Sequence, residues 1–409
     1  MSGEQVVVGL DVGTTKISAL IGEVKSLHQV AVVGVGISQS KGLKKGLVVD
    51  MEETAANVTT ALKKAEAFSG YKIIGAYVSV SGAHLLSEEV RGAVSMGGGR
   101  SVSQQELSEV LRAARLGEVP EGRDVLHVLP KGYVVDGEDG IRNPIGMLAS
   151  RLEVEGLVVS SSSAPLRNLA RCVERAGIKI DGFVAGGLAS SQGVLSEPER
   201  KLGVLLMDLG GGTTDLTWYR DGVVQCVGAL PIGGNHLTND LSVGLGVPFS
   251  AAEEIKVRFA SAAQDMVDEE DVIDVGAISD GSVRKVSRRF IAEIVEARLS
   301  EIFSLASGEI EKQGFRGVLP AGVVLTGGTA QLRGIRDLAA KSFDSPVRVG
   351  LPDGLSGSID SISGSAYAAG AGLLKWAMAQ TEELPAARSP RRRDGWGSRV
   401  KSFVKAFLP

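Results

Sequence analysis

An α/β protein of two domains built on one plan is predicted by three glycine-rich turns, each ending a short apolar strand. The most explicit is DLGGGTTD, Asp208 to Asp215, after Val204-Leu205-Leu206-Met207. Near the start, DVGTTK, Asp11 to Lys16, follows Val6-Val7-Val8-Gly9-Leu10 and repeats the order of strand, acid, small turn residues, paired threonines and returning strand. The third, LTGGTAQL, Leu325 to Leu332, follows Gly322-Val323-Val324-Leu325 and is expected to open a helix.

A turn of this composition can direct its backbone amides at a phosphate, and glycine is needed because a Cβ would hold the chain away from the phosphate oxygens. One such turn alone also describes an ordinary hairpin. Two copies can clamp the phosphates of one nucleotide from opposite sides, with Asp11 and Asp208 flanking a Mg2+ ion that keeps most of its waters. Lys16 would place a point charge on the β and γ phosphates. The glycines of the third turn would let the backbone pass close to an adenosine.

The remaining elements follow in order. Ile17 to Ile21 and Gln29 to Ile37 read as strands, KKGLVVD (Lys44 to Asp50) as a short apolar lead, and Met51 to Phe68 as a helix behind an Asp50 cap. Tyr77 to Ser81 returns as a strand. From about His84 to Ser160 the pattern changes: a strand to Val94, a glycine tip at Gly97-Gly98-Gly99, a helix from Gln104 to Leu116, a strand from Val125 to Val135, a loop from Asp136 to Pro144 and a strand from Leu152 to Val159. This reads as a small α/β module inserted in the first domain. The helix Pro165 to Ala176 and the strand Ile178 to Val184 resume that domain.

The second half continues with strands Leu216 to Tyr219 and Val223 to Leu230, and PIGGN leads into a helix. A further helix begins near Ala251. Asp265 to Asp280 reads as acidic and irregular. A long helix from Arg288 to about Gln313 carries Ile291, Ile294, Val295, Leu299, Ile302, Leu305 and Ile310 on one face. A helix near Leu332 to Phe343 comes next. The last, Ser365 to Ala379, is built on AYAAGAG, small residues that allow very close packing.

At 409 residues the chain is long enough for two domains with separate cores. Aromatics make up only 4% and glycines number 54, so the interior must be aliphatic and the turns many. Cys172 and Cys226 have no metal or redox spacing, the four histidines are scattered, and a reducing cytoplasm is the default. No run of eighteen apolar residues is present to span a bilayer. The net charge is −4, of which Arg388 to Pro409 contributes seven Lys/Arg against one Asp, or +6, leaving −10 elsewhere. No nucleic-acid partner is expected.

Taken together, GLDVGTTKI, KGLVVD, LGVLLMDLGGGTTDL, PIGGNHLTNDL, the AEEIKVR of Ala252 to Arg258, the AEIVEARLSEI of Ala292 to Ile302 and VVLTGGTAQLRGI resemble the actin/hexokinase/chaperone ATPase superfamily, and within it the FtsA family of bacterial division proteins. The resemblance covers nearly the whole chain. It implies two actin-like (ribonuclease H-like) domains around a nucleotide cleft, with a small α/β subdomain inserted in the first and a C-terminal amphipathic helix. The implied boundaries are 1–83 and 161–202 for the first domain (with 364–379 packing back on it), 84–160 for the insertion, 203–363 for the second domain, 380–394 for a linker and 395–409 for the terminal helix.

The resemblance also implies ATP with Mg2+, filament formation, binding of the tubulin-like protein FtsZ through its C-terminal tail, and tethering of its ring to the cytoplasmic face of the inner membrane at the division septum. Asp11, Gly13, Thr14, Thr15 and Lys16 match the first phosphate loop. Asp208, Gly210, Gly211, Gly212, Thr213 and Thr214 match the second. Gly234 matches the glycine pair beyond it, Glu253 and Lys256 the polar pair that reaches the ribose or base, and Gly327 and Gly328 the adenosine loop. One departure stands out: where superfamily ATPases often carry an acid or amide that orients the attacking water, this chain has Gly186. Asp208 and Gln192, a few residues further on, are the remaining catalytic candidates. Hydrolysis is therefore expected to be slow, with nucleotide acting mainly as a structural and switching ligand.

At the end of the chain, Trp396, Val400, Phe403, Val404, Phe407 and Leu408 fall mostly on one helical face, with Arg399, Lys401 and Lys405 on the other side or its flanks. A helix packed on the body has the same stripe. The linker before it, about 20 Å in mean span, the basic Arg391-Arg392-Arg393 and the interfacial aromatics favour a membrane anchor. Six half-buried side chains contribute roughly 5–8 kcal/mol and each basic residue about 1 kcal/mol, against an ordering cost on the order of 10 kcal/mol. One tail is marginal; a polymer presenting many gains by effective concentration. Arg284, Arg288, Arg289 and Arg298 are candidates for an acidic peptide such as the FtsZ tail, with a solvated charged face as the ordinary alternative. The inserted module is the expected contact for a neighbouring subunit or later division proteins. A PilM-like pilus-assembly protein and a small-molecule kinase are the competing functions on this fold.

Overall fold

The computed structural model describes residues 5–26, 29–115, 119–276, 283–315 and 318–381. The expected linker beyond Thr381 and the tail from Trp396 to Leu408 lie outside the described residues.

Two sheets carry the nucleotide-loop sequences, and they share a local plan. In the first, the order is Lys179–Ala185, Gly75–Val80, Gln5–Val12, Lys16–Ser26, Gln29–Gln39 and Leu355–Gly357. Gln5–Val12 turns back on Lys16–Ser26 as an antiparallel hairpin and runs parallel to Gly75–Val80, which runs parallel to Lys179–Ala185. The strand ends at Val12, Val80 and Ala185 therefore open on one edge of the sheet. In the second sheet the order is Val223–Leu230, Thr214–Arg220, Val204–Leu209, Val323–Thr326 and Val347–Val349. Again a hairpin, Val204–Leu209 with Thr214–Arg220, lies beside a parallel strand, Val323–Thr326. Carboxyl ends of parallel strands are where open α/β sheets place ligands, and here both sheets present a glycine turn there.

The strands are aliphatic because they are covered on both faces. Leu10, Ile17, Leu20 and Ile21 are fully buried in the first sheet and Val204, Leu205, Leu206 and Met207 in the second. Helix Met51–Ser69 starts where the Asp50 carboxylate accepts from the Glu53 amide at 2.9 Å and stops at Gly70 in the left-handed region. It lies so close to the first sheet that a Cβ on Gly36 would stand 1.9 Å from the Ala61 carbonyl oxygen. The helices Gly186–Val194 and Ala368–Thr381 cross against each other, both largely buried. A Cβ on Gly372 would lie 1.6 Å from the Ala189 oxygen, and one on Gly193 2.3 Å from that of Ala368. The small-residue composition of the last helix thus has its expected use.

Residues 85–162 build a separate four-stranded sheet, ordered Leu85–Ser101, Leu148–Ser162, Arg123–Val135 and Glu138–Ile141, with helix Gln104–Arg115 on one face. Met96, Leu107, Leu111, Tyr133 and Leu152 form its own core. At its root Arg123 gathers the chain, donating to the His84 oxygen at 2.8 Å and to the Ser160 oxygen and hydroxyl at 3.0 and 2.9 Å.

Several sequence expectations need correction. Gly97-Gly98-Gly99 is not a hairpin tip but lies within the strand Leu85–Ser101; the register with Leu148–Ser162 slips there, and Gly98 and Gly99 take positive φ in the bulge. The segment expected to be irregular contains Val272–Gly276, which pairs with Val283–Ser287 as a hairpin. The third glycine turn opens a 3-10 turn, Thr329–Gln331, and the α-helix begins only at Ile335, because Gly334 at φ 79° breaks the path between them. On helix Arg288–Lys312 Leu305 is exposed, while Phe303 and Ala306 fill the buried face.

Gly372→Ala should lower stability by about 3 kcal/mol, the scale of an overpacked core, read as a lower urea midpoint. Gly308→Ala is the control of opposite sign: nothing lies within 4 Å of a Cβ there, and a helix-interior glycine gains up to about 1 kcal/mol on becoming alanine.

Candidate functional site

The edges of the two sheets meet at three carboxylates, each tied to a serine. Asp11, at the end of its strand, accepts from the Ser79 hydroxyl at 2.7 Å, and that oxygen in turn accepts from the Val12 amide at 3.0 Å. Asp208 accepts from Ser190 on the helix Gly186–Val194. Asp215 sits directly across the hairpin from Asp208 and is hydrogen-bonded to Ser81. Burial raises all three carboxyls above their ordinary range, Asp208 to about 6 and Asp215 well above its usual value; Asp11 adds to the rise at Asp208, Asp208 and Asp11 add to that at Asp215, and Lys16 and Ser79 hold Asp11 back.

Against them stands Lys16, whose ammonium is pushed down by burial and drawn back up by Asp11 and Asp208. It donates to the Ala366 oxygen at 2.6 Å and lies 3.4 Å from the centre of the Tyr367 ring. The 3-10 turn Ser365–Tyr367 therefore holds the lysine of the first turn.

The two phosphate-type turns touch. A Cβ on Gly211 would fall 2.3 Å from Thr15 Cγ2, and one on Gly212 2.5 Å from Thr14 Oγ1, so only glycine fits at either position. Each turn is closed internally, Gly13 N–H to the Lys16 oxygen at 3.0 Å and Gly210 N–H to the Thr213 oxygen at 2.9 Å. Outward-facing carbonyls of the second turn are taken up by the protein: Gly210 O receives the Gly234 amide at 2.9 Å and the Thr329 hydroxyl at 3.1 Å, and Gly211 O the Asn235 amide at 2.7 Å. Gly327 packs over this turn, with φ 88° and no space for a Cβ, which would meet Asp208 Oδ1 at 2.3 Å. Beneath Gly234, the buried Lys256 donates to the Gly234 oxygen at 3.1 Å, to Thr238 at 2.8 Å and to Glu253 at 2.7 Å.

The structure thus brings together Asp11, Gly13, Thr14, Thr15, Lys16, Asp208, Gly210 to Thr214, Gly234, Glu253, Lys256, Gly327 and Gly328 around one cleft floor. Gln192 is elsewhere: its side-chain oxygen accepts from Arg200 at 3.3 Å, on the neighbouring short helix Glu197–Leu202, so it is no substitute for an acid at Gly186. Sequence reading missed Ser79, Ser81 and Ser190, which as single serines carry no pattern. A hydrated Mg2+ fits Asp11 and Asp208, since buried carboxylates outnumber the one lysine. Among the described residues no three such side chains converge closely enough to ligate an ion directly.

The four arginines have intramolecular partners. Arg288 pairs with Asp271 and donates to the Phe259 oxygen at 3.2 Å, Arg289 pairs with Glu269, Arg298 with Asp240 and Glu301, and Arg284 donates to the Leu245 oxygen.

Comparison with known proteins gives two family matches, "Cell division protein FtsA" over residues 205–372 and "SHS2 domain inserted in FTSA" over 82–160. The cell-division protein FtsA of Pseudomonas aeruginosa is 38% identical, the match covering 91% of this chain and 89% of that protein. That of Neisseria meningitidis is 35% identical over 97% of both. The chain belongs to the FtsA family of cell-division proteins. The fold is the actin-like one. A structure titled as the PilM-PilN type IV pilus biogenesis complex aligns over 91% of this chain and 98% of its own at TM-score 0.64 and 15% identity. MreB5 of Spiroplasma citri, bound to ADP, aligns over 90% of this chain and 94% of its own at TM-score 0.53 and 15% identity. These likenesses are of fold alone and bring no pilus function to this chain.

The FtsA-family insertion reaches the cleft floor through His127. Its Nε2 accepts from the amide of Ala185, the residue before Gly186, at 3.0 Å, and its ring meets Trp376 edge-on at 5.1 Å. Burial lowers His127 to about 3, and burial together with Arg123 lowers His84 to about 4. A histidine held neutral in the fold but protonated when unfolded contributes its full stability above about pH 6.5 and loses it as pH falls towards the folded value. The urea midpoint of the wild type should therefore fall from pH 7.5 to 5.0 more steeply than that of His127→Gln, which keeps an acceptor without the proton site. Parallel pH dependences would show that His127 adds nothing to acid lability.

Proposed function

We propose that the cleft binds ATP with Mg2+ and that the chain is a filament-forming member of the FtsA family that tethers the FtsZ ring to the cytoplasmic face of the inner membrane at the division septum. The observation that carries the nucleotide reading is the contact of two glycine turns, each after an aspartate near the end of a strand, with Lys16 in electrostatic reach of both aspartates and Gly327 closing over one side. Asp11 and Asp208 would hold the magnesium through water. The metal would neutralise the phosphates, and Lys16 would exchange the Ala366 carbonyl for a phosphate oxygen. Glu253 and Lys256 would face the ribose or base.

The nucleotide links the two domains because its phosphate loops belong to different sheets, so its presence sets how they close. That makes ATP a structural and switching ligand, and closure the step by which nucleotide favours assembly of one copy on another. The FtsZ tail, an acidic peptide in this reading, would reach Arg284, Arg288, Arg289 and Arg298 by displacing Asp271, Glu269 and Asp240. Arg289 and Glu269 are both solvent-exposed and exchange at little cost. The inserted module would receive a neighbouring subunit or later division proteins. The segment Trp396 to Leu408, with Arg399, Lys401 and Lys405, would lie in an anionic leaflet. Polymerisation and membrane binding would then promote each other, since many marginal anchors act together.

Liposome co-sedimentation with Mg-ATP tests the adaptor reading. The full chain should pellet with anionic vesicles, and a chain ended at Glu383 should stay in solution. If both remain soluble, the tail is not an anchor. The nucleotide reading has its own readout: Gly212→Val, whose side chain would collide with Thr14, should bind a fluorescent ATP analogue at least tenfold more weakly than the wild type while retaining its circular dichroism. Equal affinity would place the nucleotide elsewhere.

A further inference from the structure

We propose that Asp215 orients the water that attacks the γ-phosphate, supplying from the second domain the acid that Gly186 lacks in the first. This rests on the nucleotide reading and adds a chemical step to it. Two observations lead here. A Cβ on Gly186 would lie 2.1 Å from Ser81 Oγ and 3.2 Å from Asp215 Oδ2. The space that an acidic side chain at 186 would enter is therefore already filled by a carboxylate and the serine bonded to it, and glycine is what lets them in.

The second observation concerns the other carboxylate oxygen. Asp215 is 5% exposed, and its Oδ1 is buried without a hydrogen-bond partner among the described residues. A buried carboxylate oxygen left in this state is costly. One water donating to Oδ1 would remove the cost. Asp215 lies across from Asp208 in register, so the two side chains share a face of the hairpin and the water would stand on the cleft floor beside the metal-facing acids. Asp11 and Asp208 are engaged by Ser79 and Ser190, and neither has an oxygen that is both buried and without a partner among the described residues, whereas Asp215 has one.

In the step itself, the water oxygen bonds to the γ-phosphorus, and the bond from that phosphorus to the β–γ bridging oxygen breaks. The electron pair leaves with ADP and the water's proton ends on the released phosphate. Asp215 accepts a hydrogen bond and aims the oxygen lone pair; it keeps no proton at the end. Ser81 follows the strand Gly75–Val80 of the first sheet and Asp215 belongs to the second. The orienting pair is therefore complete only while the two domains are closed on each other, which ties the step to closure.

The test uses the full chain with Mg-ATP, comparing wild type, Asp215→Asn and Ser81→Ala in two assays: affinity for a fluorescent ATP analogue, and single-turnover hydrolysis. Asp215→Asn should bind within about threefold of wild type, melt no lower, and hydrolyse about 10–100-fold more slowly, the scale of lost positioning. Ser81→Ala, which leaves the carboxylate but frees it to rotate, should fall between them and covers the case in which the first variant misfolds. An unchanged rate in either properly folded variant overturns the proposal, as does an affinity loss as large as the rate loss, which would make Asp215 a nucleotide or metal holder. A wild type that binds ATP but shows no single-turnover hydrolysis also overturns it while leaving the nucleotide reading intact. A wild type that binds no ATP removes both.

Discussion

The constraint on which the rest of the structure depends is the burial of Asp11, Asp208 and Asp215 together with one lysine. Carboxylates taken out of water must be hydrogen-bonded, paired or neutralised. Here each has one serine, from two different elements of the first domain, and Lys16 cannot balance three acids. The floor is thus built to receive positive charge, and the domains cannot move independently of it: Ser190 and Ser81 belong to one side, Asp208 and Asp215 to the other.

The helices behind the floor impose a second condition. Where Gly372 meets Ala189 and Gly193 meets Ala368, the backbones are in contact with no side chain between them. Packing of this kind transmits displacement well, because close-packed interiors have discrete arrangements rather than soft ones. The same last segment that fills this contact supplies Ala366 and Tyr367 to Lys16. The cleft and the junction behind it are consequently parts of one assembly of glycine contacts and buried polar bonds.

What could be seen in the sequence was whatever backbone geometry demands of residue type. The phosphate turns were legible because only glycine fits at Gly211 and Gly212, the first helix because Asp50 caps it, and the last because its small residues meet another backbone. The serines of the floor were not, since a hydroxyl that bonds across 18 or 68 positions leaves no local mark. Gly186 read as a missing acid; a side chain there would run into the Ser81 hydroxyl and approach the Asp215 carboxylate of the other sheet. The arginine cluster read as a peptide site or a solvated face, and its local pattern could not show that Arg288, Arg289 and Arg298 pair with Asp271, Glu269 and Asp240 and that Arg284 donates to the Leu245 carbonyl. Leu305 failed for a simpler reason: it sits about 60° from Ile302 around the helix on the outward side, at the edge of a stripe that period counting draws too wide.

The first sheet is not continuous in the chain. Its edge strand Leu355–Gly357 pairs with Gln29–Gln39, and the helix Ala368–Thr381 that packs behind it comes later still. Strand Gly75–Val80 likewise waits for Lys179–Ala185 until the whole insertion has been made. On a ribosome, the first domain therefore emerges first and finishes last, holding an unpaired sheet edge while the second domain folds. Partial synthesis yields no complete cleft until the helix Ala368–Thr381 has been made.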